Sequence, residues 1–360
     1  ITGHAKAGTE SRIDFESLVK LNGTLVFMMS VSTIDRIAGG LLDAGMSPDM
    51  PAAVTESGTL SRQRTFTSPL CDICKTVKEN GVHSPAVLLV GRVCRLSDTL
   101  RWFDQKPLHG RRILVTQPAA GSSRLAAGLR DLGAEVILYP SIKTSPVRPL
   151  DVPQTEETTG DPFDTVVFTS GEGVRSYCSW LLETGHDMRT LSGKKIACIG
   201  SATAAALQEY GLIADFIPAE YSGLALGQEM IRRGFVDENS RVLLLRTTLA
   251  SQDVTDALRD AGIPFTDCPV YETHILSNPP LEEIDAIDSI TFTSRSCVEG
   301  FLRSQTKTDF SGIPALCIGG RTAAAAASCG FEIIVSEEAT IDSMLSRAIE
   351  LKEIYETKGR

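Results

Sequence analysis

Short hydroxyl side chains recur where apolar runs end, and their positions predict a site for an anion. Hydroxyl groups beside the exposed N–H groups of a helix N-terminus form a ready carboxylate site. The alternative is ordinary helix capping, which favours Ser and Thr whether or not a ligand binds. The candidates of this kind are Thr169, Ser170, Ser201, Thr203, Thr293 and Ser294.

Two arginines and one tyrosine add further candidate chemistry. Arg246 closes an apolar run, and Arg321 precedes Thr322 in a glycine-containing turn, so either guanidinium could pair with a carboxylate. A solvated side chain is the alternative for Arg321. Tyr271 lies in the motif PVYET at 269–273. A phenol is a weak acid that can donate a hydrogen bond to a leaving hydroxyl, whereas the alternative is a packed tyrosine bonded to the backbone.

The cysteines and histidines do not form a metal-binding pattern. The sequence has 9 cysteines and 5 histidines. Cys71-x-x-Cys74 could be half a zinc site or a redox pair, but no second pair with suitable spacing follows it. Most of the other cysteines lie in apolar runs, where buried thiols act as small hydrophobes in a reducing cytoplasm. We therefore expect no metal, and the glycine pair at 39–40 indicates a helix end rather than a phosphate loop.

Charge and hydropathy exclude two classes of partner. The net charge is −10, and residues 107–360 carry 23 basic against 34 acidic side chains. Nucleic-acid binding needs a basic footprint, which this region lacks. No apolar run reaches the roughly 18 residues that a membrane-spanning helix requires.

An internal repeat indicates how the candidate residues are positioned. Residues 113–142 align without gaps on 242–271, and each copy is predicted to be a strand, a helix ending before a glycine, and a second strand ending at Pro140 or Pro269. Residues 163–170 likewise match 287–294, and 199–205 match 318–324. Strands that alternate with helices at this spacing predict an α/β fold with parallel sheets covered on both faces.

Two polar, proline-containing segments divide the repeat. Residues 143–162 and 273–283 are predicted to be crossover linkers. One domain would then be discontinuous, combining 110–142 with 284–355, and the other would comprise 163–272. Because ligands bind beyond the carboxyl ends of parallel strands, we expect a cleft between the two domains.

These motifs together resemble those of uroporphyrinogen-III synthases over residues 110–355. The carrying features are ILVTxP from residue 113, two FTS turns, two IGxxTA turns and PVYET. Gln117 stands where the family often has arginine. The resemblance implies a two-domain fold, no cofactor, and conversion of hydroxymethylbilane, a linear tetrapyrrole with eight carboxylates, to uroporphyrinogen III with ring D inverted and water lost. It makes Tyr271 the candidate acid and the hydroxyl and arginine residues above the candidate substrate ligands.

Residues 1–106 resemble the C-terminal part of uroporphyrinogen-III methyltransferases. The resemblance rests on GTLVFMM at 23–29, PAAV at 51–54, and the segment 56–64 with its ESGT and RQR motifs. It implies a partial α/β tetrapyrrole-methylase domain in which Met29 and Gly58 match contacts to S-adenosylmethionine. The other half of that fold is absent from this sequence, so we expect no methyl transfer here. A full-length protein would be bifunctional and could form a homodimer.

The sequence is also compatible with a second class of function. Duplicated α/β lobes joined by two crossovers also occur in non-catalytic binding proteins, so a tetrapyrrole-binding or regulatory module is the alternative. A regulator would be expected to carry a signalling or DNA-binding domain. A methyltransferase that consumes the product of the synthase is the neighbour here, which favours consecutive enzymes of one pathway.

Overall fold

In a computed structural model, the described part of the chain comprises residues 1, 13–118, 123–147, 163–282, 284–307 and 309–357. Three predicted segments extend outside it. Residues 2–12 belong to the methyltransferase-like region, and 148–162 and 283 belong to the predicted linkers. The structural statements below concern the described residues.

The first region of the chain folds around one antiparallel sheet. Its elements are α1 (Phe15–Lys20), β1 (Leu25–Met28), α2 (Ile34–Asp43), β2 (Pro51–Glu56), β3 (Arg64–Pro69), α3 (Ile73–Glu79), β4 (Ala86–Val90) and α4 (Ser97–Leu100). The strands lie in the order β1-β4-β2-β3 with antiparallel pairing throughout. Apolar side chains of the sheet pack with those of α2 and α3 into a separate core.

The sequence pattern predicts a helix end at the glycine pair 39–40, and this is wrong because both residues lie inside α2. Packing explains the second glycine. A Cβ on Gly40 would lie 2.4 Å from Cε2 of the Phe15 ring. Glycine therefore lets α1 approach α2 closely, and the core contact outweighs the low helix propensity.

The rest of the chain alternates between strands and helices. Its elements are β5 (Arg112–Val115), α5 (Arg124–Asp131), β6 (Glu135–Leu138), β7 (Ile142–Pro146), β8 (Thr165–Phe168), α6 (Gly171–Glu183), β9 (Lys195–Cys198), α7 (Ser201–Gln208), α8 (Gly223–Arg232), β10 (Val242–Thr247), α9 (Asp253–Asp260), β11 (Phe265–Ile275), β12 (Ser289–Phe292), α10 (Arg295–Arg303), β13 (Pro314–Cys317), α11 (Gly320–Ala327), β14 (Glu332–Val335) and α12 (Ile341–Thr357). Short 3-10 helices span Val31–Thr33, Leu70–Asp72, Arg92–Leu96, Met188–Leu191 and Ile284–Ala286.

These strands form two five-stranded sheets. The first has the order β14-β13-β12-β5-β6 and is parallel throughout, so it joins strands from both ends of the repeat. The second has the order β7-β11-β10-β8-β9 and is parallel except at its edge strand β7. Every residue of β8, β12 and β13 is buried, as expected for strands covered by helices on both faces.

The repeat is confirmed in its first strand, its helix and its glycine. Gly133 and Gly262 follow the related helices α5 and α9 with φ of 97° and 68°, the left-handed conformation of a helix end. The predicted end of the second strand at Pro269 is wrong, because β11 continues to Ile275. The extension is stabilised by pairing, since Tyr271–Ile275 lie antiparallel to Ile142–Pro146.

The same pairing shows that part of each predicted linker is a β-strand. Each contributes one strand of an antiparallel pair over part of its length, rather than an irregular connection. The sequence pattern missed it because β7 alternates polar and apolar residues only weakly, and a neighbouring strand supplies its hydrogen bonds. The crossovers are thereby joined to each other at the edge of the second sheet.

The first region contacts the first parallel sheet through polar groups. Ser61 Oγ donates to Glu135 Oε2 at 2.6 Å, and the same carboxylate lies 3.4 Å from Nε of Arg112. A backbone hydrogen bond of 2.8 Å runs from Leu108 to the carbonyl of Leu132. The connection is thus ordered by specific hydrogen bonds at the amino-terminal end of β6.

Candidate functional site

Tyr271 lies at the end of a chain of hydrogen bonds that begins at the N-terminus of α6. Its side chain is 9% exposed. Ser170 is the N-cap of α6: its Oγ accepts from Gly173 N at 3.0 Å and donates to Tyr271 Oη at 3.0 Å. Because Oη accepts this bond, the phenol keeps its own proton for donation to another group.

The electrostatics of this position keep the phenol protonated. Burial raises the pKa of Tyr271, Glu172 raises it further, and the hydrogen bond from Ser170 partly offsets both effects. At neutral pH the group can therefore act as a hydrogen-bond donor or acid but not as a base. The predicted alternative, a hydroxyl bonded to the backbone, is not observed among the described contacts; the partner is a side chain.

Thr247 is a neighbour of Tyr271 that the sequence analysis missed. The register of β10 against β11 shifts here, so that Arg246 pairs with Pro269 but Thr247 pairs directly with Tyr271. The Thr247 hydroxyl is buried and has no described partner at full hydrogen-bond geometry, yet it is close enough to the phenol to lower the pKa of Tyr271. Thr247 could have been identified from the sequence, because it is a hydroxyl residue at the end of an apolar strand, the same pattern that identified Thr169.

The two FTS turns have the same local structure and different surroundings. Ser294 caps α10, accepting from Cys297 N at 3.2 Å, as Ser170 caps α6. The capping interpretation is thus confirmed for both serines, and their binding to a ligand stays a prediction. No tyrosine contacts Ser294 among the described hydrogen bonds; Ser296 Oγ lies 2.9 Å from it. Thr293, half-buried, lies 3.9 Å from the Cys297 sulfur.

A cavity of about 790 Å³ lies beyond the carboxyl ends of strands from both parallel sheets. Its lining comes from Ile199, residues 219–223, 318–322 and 335–339. Of the predicted ligands, Arg321 and Thr322 line it. The remaining predicted residues of the synthase region are outside the lining: Thr169, Ser170, Ser201, Thr203, Arg246, Tyr271, Thr293 and Ser294.

Charged groups at this cavity are mostly acidic. Glu220, Glu337 and Glu338 are exposed and line it. Arg321 forms a short ion pair with Asp253 of α9, and this hydrogen-bonded pairing lowers the pKa of the Asp253 carboxyl. An anionic ligand would therefore rely on backbone N–H groups at helix starts, or would displace Asp253 from Arg321.

The Arg246 guanidinium forms its hydrogen bonds within its own sheet and the turn that follows β10. Its side chain is 4% exposed, its Nε and Nη2 donate to the Asp267 carboxylate at 2.6 and 2.5 Å, and Nη1 donates to the Ser251 carbonyl at 2.7 Å. Ser251 Oγ in turn donates to Asp253 at 3.0 Å. Arg246 thus orders the turn that holds Asp253, and a direct contact with substrate stays a prediction.

Ser201 and Thr203 occupy the start of α7. Ser201 is exposed as the first residue of the helix, whereas Thr203 is 3% exposed and its N–H donates to the Gly200 carbonyl at 3.1 Å. Gly200 is the N-cap, and no side chain caps this helix. Ser201 is therefore placed to reach a ligand, whereas the Thr203 side chain is buried and its contact with substrate stays a prediction.

Met29 and Gly58 lie at one edge of the antiparallel sheet. They follow β1 and β2, which run in the same direction on either side of β4. Met29 has φ of 52° and a side chain that is 53% exposed. A Cβ on Gly58 would meet no atom closer than 3.7 Å, so the described chain does not by itself require glycine there. These residues leave room for a ligand without enclosing one.

Neither a metal-ligand cluster nor a membrane-spanning helix is found among the described residues. No cluster of three or more potential metal ligands occurs within them. No helix in the part of the chain covered by the structure is long and apolar enough to cross a membrane. The fold and site together define an α/β protein with two parallel sheets, whose strand ends present hydroxyls and helix N-termini.

Comparison with known proteins identifies the class more closely. The family described as "Uroporphyrinogen-III synthase HemD" matches residues 123–346. "Porphyrin biosynthesis protein HemD" of Ruminiclostridium josui is 38% identical over 361 residues, covering 98% of this chain and 70% of that protein. The chain belongs to the uroporphyrinogen-III synthase family, whose members are hydro-lyases of tetrapyrrole biosynthesis.

The first region is similar to tetrapyrrole methyltransferases. "Uroporphyrinogen-III C-methyltransferase" of Bacillus subtilis (strain 168) is 34% identical over 198 residues, and the match covers 54% of this chain and 40% of that protein.

Among solved structures, a mutant uroporphyrinogen III synthase from Thermus thermophilus matches 68% of this chain and 99% of its own, with 20% identity and a TM-score of 0.48.

Proposed function

We propose that this chain cyclises hydroxymethylbilane to uroporphyrinogen III, with loss of water and inversion of ring D. Family membership supports a synthase, and the observation that carries the chemistry is the hydrogen-bond chain from Gly173 through Ser170 to Tyr271. It ends on a buried phenol that keeps its proton at neutral pH. Tyr271 is the proposed catalytic acid.

The proposed steps balance without a cofactor. The Tyr271 phenol gives its proton to the terminal hydroxyl as the carbon–oxygen bond breaks, so water leaves and a cation conjugated with the pyrrole remains. The substituted carbon of ring D attacks this cation to form a spiro intermediate, which fragments and recloses with that ring inverted. The final ring closure releases a proton, which the phenolate takes back.

Positioning residues would stabilise the charge that develops on the phenol. Ser170 donates to Oη throughout, and the N-terminus of the 13-residue helix α6 favours negative charge nearby. As the proton leaves, the bond from Ser170 becomes charge-assisted and therefore stronger. Its contribution is larger in the transition state than in the ground state, as catalysis requires.

The eight carboxylates of the substrate are proposed to bind at helix starts. The proposed substrate contacts are Thr169, Ser170, Ser201, Thr203, Arg246, Thr293, Ser294, Arg321 and Thr322. Support comes from the starts of α6, α7, α10 and α11, which follow strands of the two parallel sheets. We also propose that residues 110–142 with 284–355 and residues 163–272 act as two domains that close on the substrate.

Isomer analysis tests the proposal directly. Purified chain is given freshly made hydroxymethylbilane, and the oxidised products are separated by isomer. Spontaneous closure gives type I, so a predominance of type III is expected, and Tyr271→Phe should lower its rate at least tenfold. Type I alone, from a folded sample, would refute synthase activity and favour the non-catalytic tetrapyrrole-binding module.

We infer in addition that residues 1–106 are the C-terminal part of a uroporphyrinogen-III methyltransferase, in which Met29 and Gly58 contact S-adenosylmethionine. Their position on one edge of the sheet and the open space at Gly58 support this. The cofactor would supply the methyl group, and a full-length protein would be bifunctional and would form a homodimer in which two such parts associate. Saturable binding of S-adenosylhomocysteine to this chain, abolished by Met29→Ala, would support the contact, and binding that Met29→Ala leaves unchanged would contradict it.

A further inference from the structure

We propose that Tyr221 is an additional substrate-positioning residue, whose ring forms an aromatic wall for one pyrrole ring of the linear tetrapyrrole. The proposal rests on the proposed function and deepens it. Tyr221 lines the cavity beyond the two parallel sheets and is 38% exposed there. No hydrogen bond from its hydroxyl is found among the described residues, so the ring is the part of this side chain that packing holds in place.

The Tyr221 ring is packed against Gly200, and this contact excludes any larger residue. A Cβ on Gly200 would lie 2.8 Å from Cγ and 3.0 Å from Cδ2 of Tyr221. Gly200 has φ of −178°, an extended conformation open to any residue, so the backbone does not demand glycine. The close approach of the ring does.

The related copy of the repeat provides an internal comparison. Gly319 stands where Gly200 stands in the other IGxxTA turn, and it has the same φ, −178°. A Cβ on Gly319 would meet nothing within 4 Å. The two turns therefore have the same local conformation, and the difference at Gly200 is the Tyr221 side chain, which supplies the three atoms nearest to an added Cβ.

The chain on the other side of Tyr221 is also held in place. Ser222 is the N-cap of α8, and its Oγ accepts from Ala225 N at 3.2 Å. The ring thus stands between a capped helix start and the contact with Gly200. An aromatic group held in this way loses little further conformational freedom when a ligand packs on it, which favours binding.

The charges around the ring indicate which part of the substrate it would meet. Glu220, Glu337 and Glu338 also line the cavity, and the Arg321 charge is balanced by Asp253. Side chains of this sign repel propionate and acetate groups but do not repel an uncharged pyrrole ring. Loss of the hydroxyl leaves one pyrrole unit of the substrate with a positive charge, and an aromatic face attracts a cation. Tyr221 is therefore placed for a pyrrole ring rather than a carboxylate.

Two substitutions separate the ring from the hydroxyl. Tyr221→Leu removes the aromatic face and should weaken binding of uroporphyrin III, the stable oxidised form of the product, by about tenfold. Tyr221→Phe should bind within about twofold of the native chain, because it keeps the ring. Fluorescence titration measures both, and kcat/KM for type III formation should follow the same order. Tyr210→Leu, the same change outside the cavity lining, controls for general loss of stability.

A double-mutant cycle tests the contact with Gly200. Gly200→Ala should weaken binding of uroporphyrin III in the native background, because the added Cβ displaces the ring, and should have no further effect in Tyr221→Leu. Native affinity in Tyr221→Leu, or equal defects in Tyr221→Leu and Tyr221→Phe, would overturn the proposal. The titration does not require turnover, so absence of type III from the native chain would refute the synthase proposal separately.

Discussion

Replacement of Ser170 by alanine tests the proposed acid without touching it. Ser170→Ala removes the hydrogen bond to Tyr271 Oη and the cap on Gly173 N. A neutral hydrogen bond contributes about 1 kcal/mol, and a charge-assisted one about twice as much. The difference, about 1 kcal/mol, is the extra stabilisation that the bond gives to the transition state. Because about 1.4 kcal/mol corresponds to a tenfold change in rate, its loss should lower kcat about fivefold. Loss of the cap should lower the free energy of unfolding by about 1 kcal/mol.

The assay is the initial rate of type III formation as a function of pH. The bond from Ser170 lowers the pKa of Tyr271, so Ser170→Ala should raise it. Because the protonated phenol is the active form, the alkaline decline in rate should move to higher pH while the rate at neutral pH falls. This pair of opposite changes is not expected from a general structural defect.

A double-mutant cycle with Tyr271→Phe completes the test. If Ser170 acts through the phenol, Ser170→Ala should leave the residual activity of Tyr271→Phe unchanged. Ser123→Ala, which removes the cap of α5 at Ala126 N (3.1 Å), is the comparison for loss of a cap. A decline that moves to lower pH, or a further loss of activity in the double variant, would refute the relay.

Three further predictions concern charge and burial. Asp267→Asn should destabilise the chain by about 3 kcal/mol in urea unfolding, and Arg246→Met by less, because only the guanidinium is deeply buried; equal losses would contradict this. Joint replacement of Glu337 and Glu338 by glutamine should lower KM about twofold at low salt, since two exposed repulsive charges are removed, and a raised KM would show that they assist binding. The third prediction concerns the buried thiols of Cys178, Cys198 and Cys317. Burial raises their pKa values from 9.0 to between about 11 and 12. A thiol whose pKa is raised in the folded state contributes its full stabilisation below pH 9, and this contribution is lost as the pH rises toward the folded pKa. The free energy of unfolding should therefore fall by up to ~1.4 kcal/mol per pH unit per thiol above pH 9. A Cys317→Ala variant with an unchanged slope would contradict this.

The repeat made much of the fold predictable. Apolar strands, helices that end at glycine, and the constant offset between copies identify parallel α/β units from local periodicity alone. Gly133 and Gly262 adopt the predicted left-handed conformation because it depends on a few neighbouring residues. The cap at Ser170 is predictable for the same reason.

Long-range contacts decided the features that sequence analysis missed. Strand β11 runs past Pro269 because β7 pairs with its last five residues. Gly40 lies inside a helix because Phe15 packs on it. In both cases a partner distant along the chain outweighs the local preference for a turn or a helix end.

The sequence by itself determined the α/β class, the hydroxyl-bearing strand ends and the family resemblance, because each depends on residue type and short-range spacing. Only the tertiary structure decided how those residues are used. It directs Ser170 to Tyr271, pairs Arg246 with Asp267, and places Tyr221 on Gly200. Hydrogen bonds, ion pairs and close packing form between segments that are far apart in sequence. Local periodicity therefore does not predict which residues come into contact.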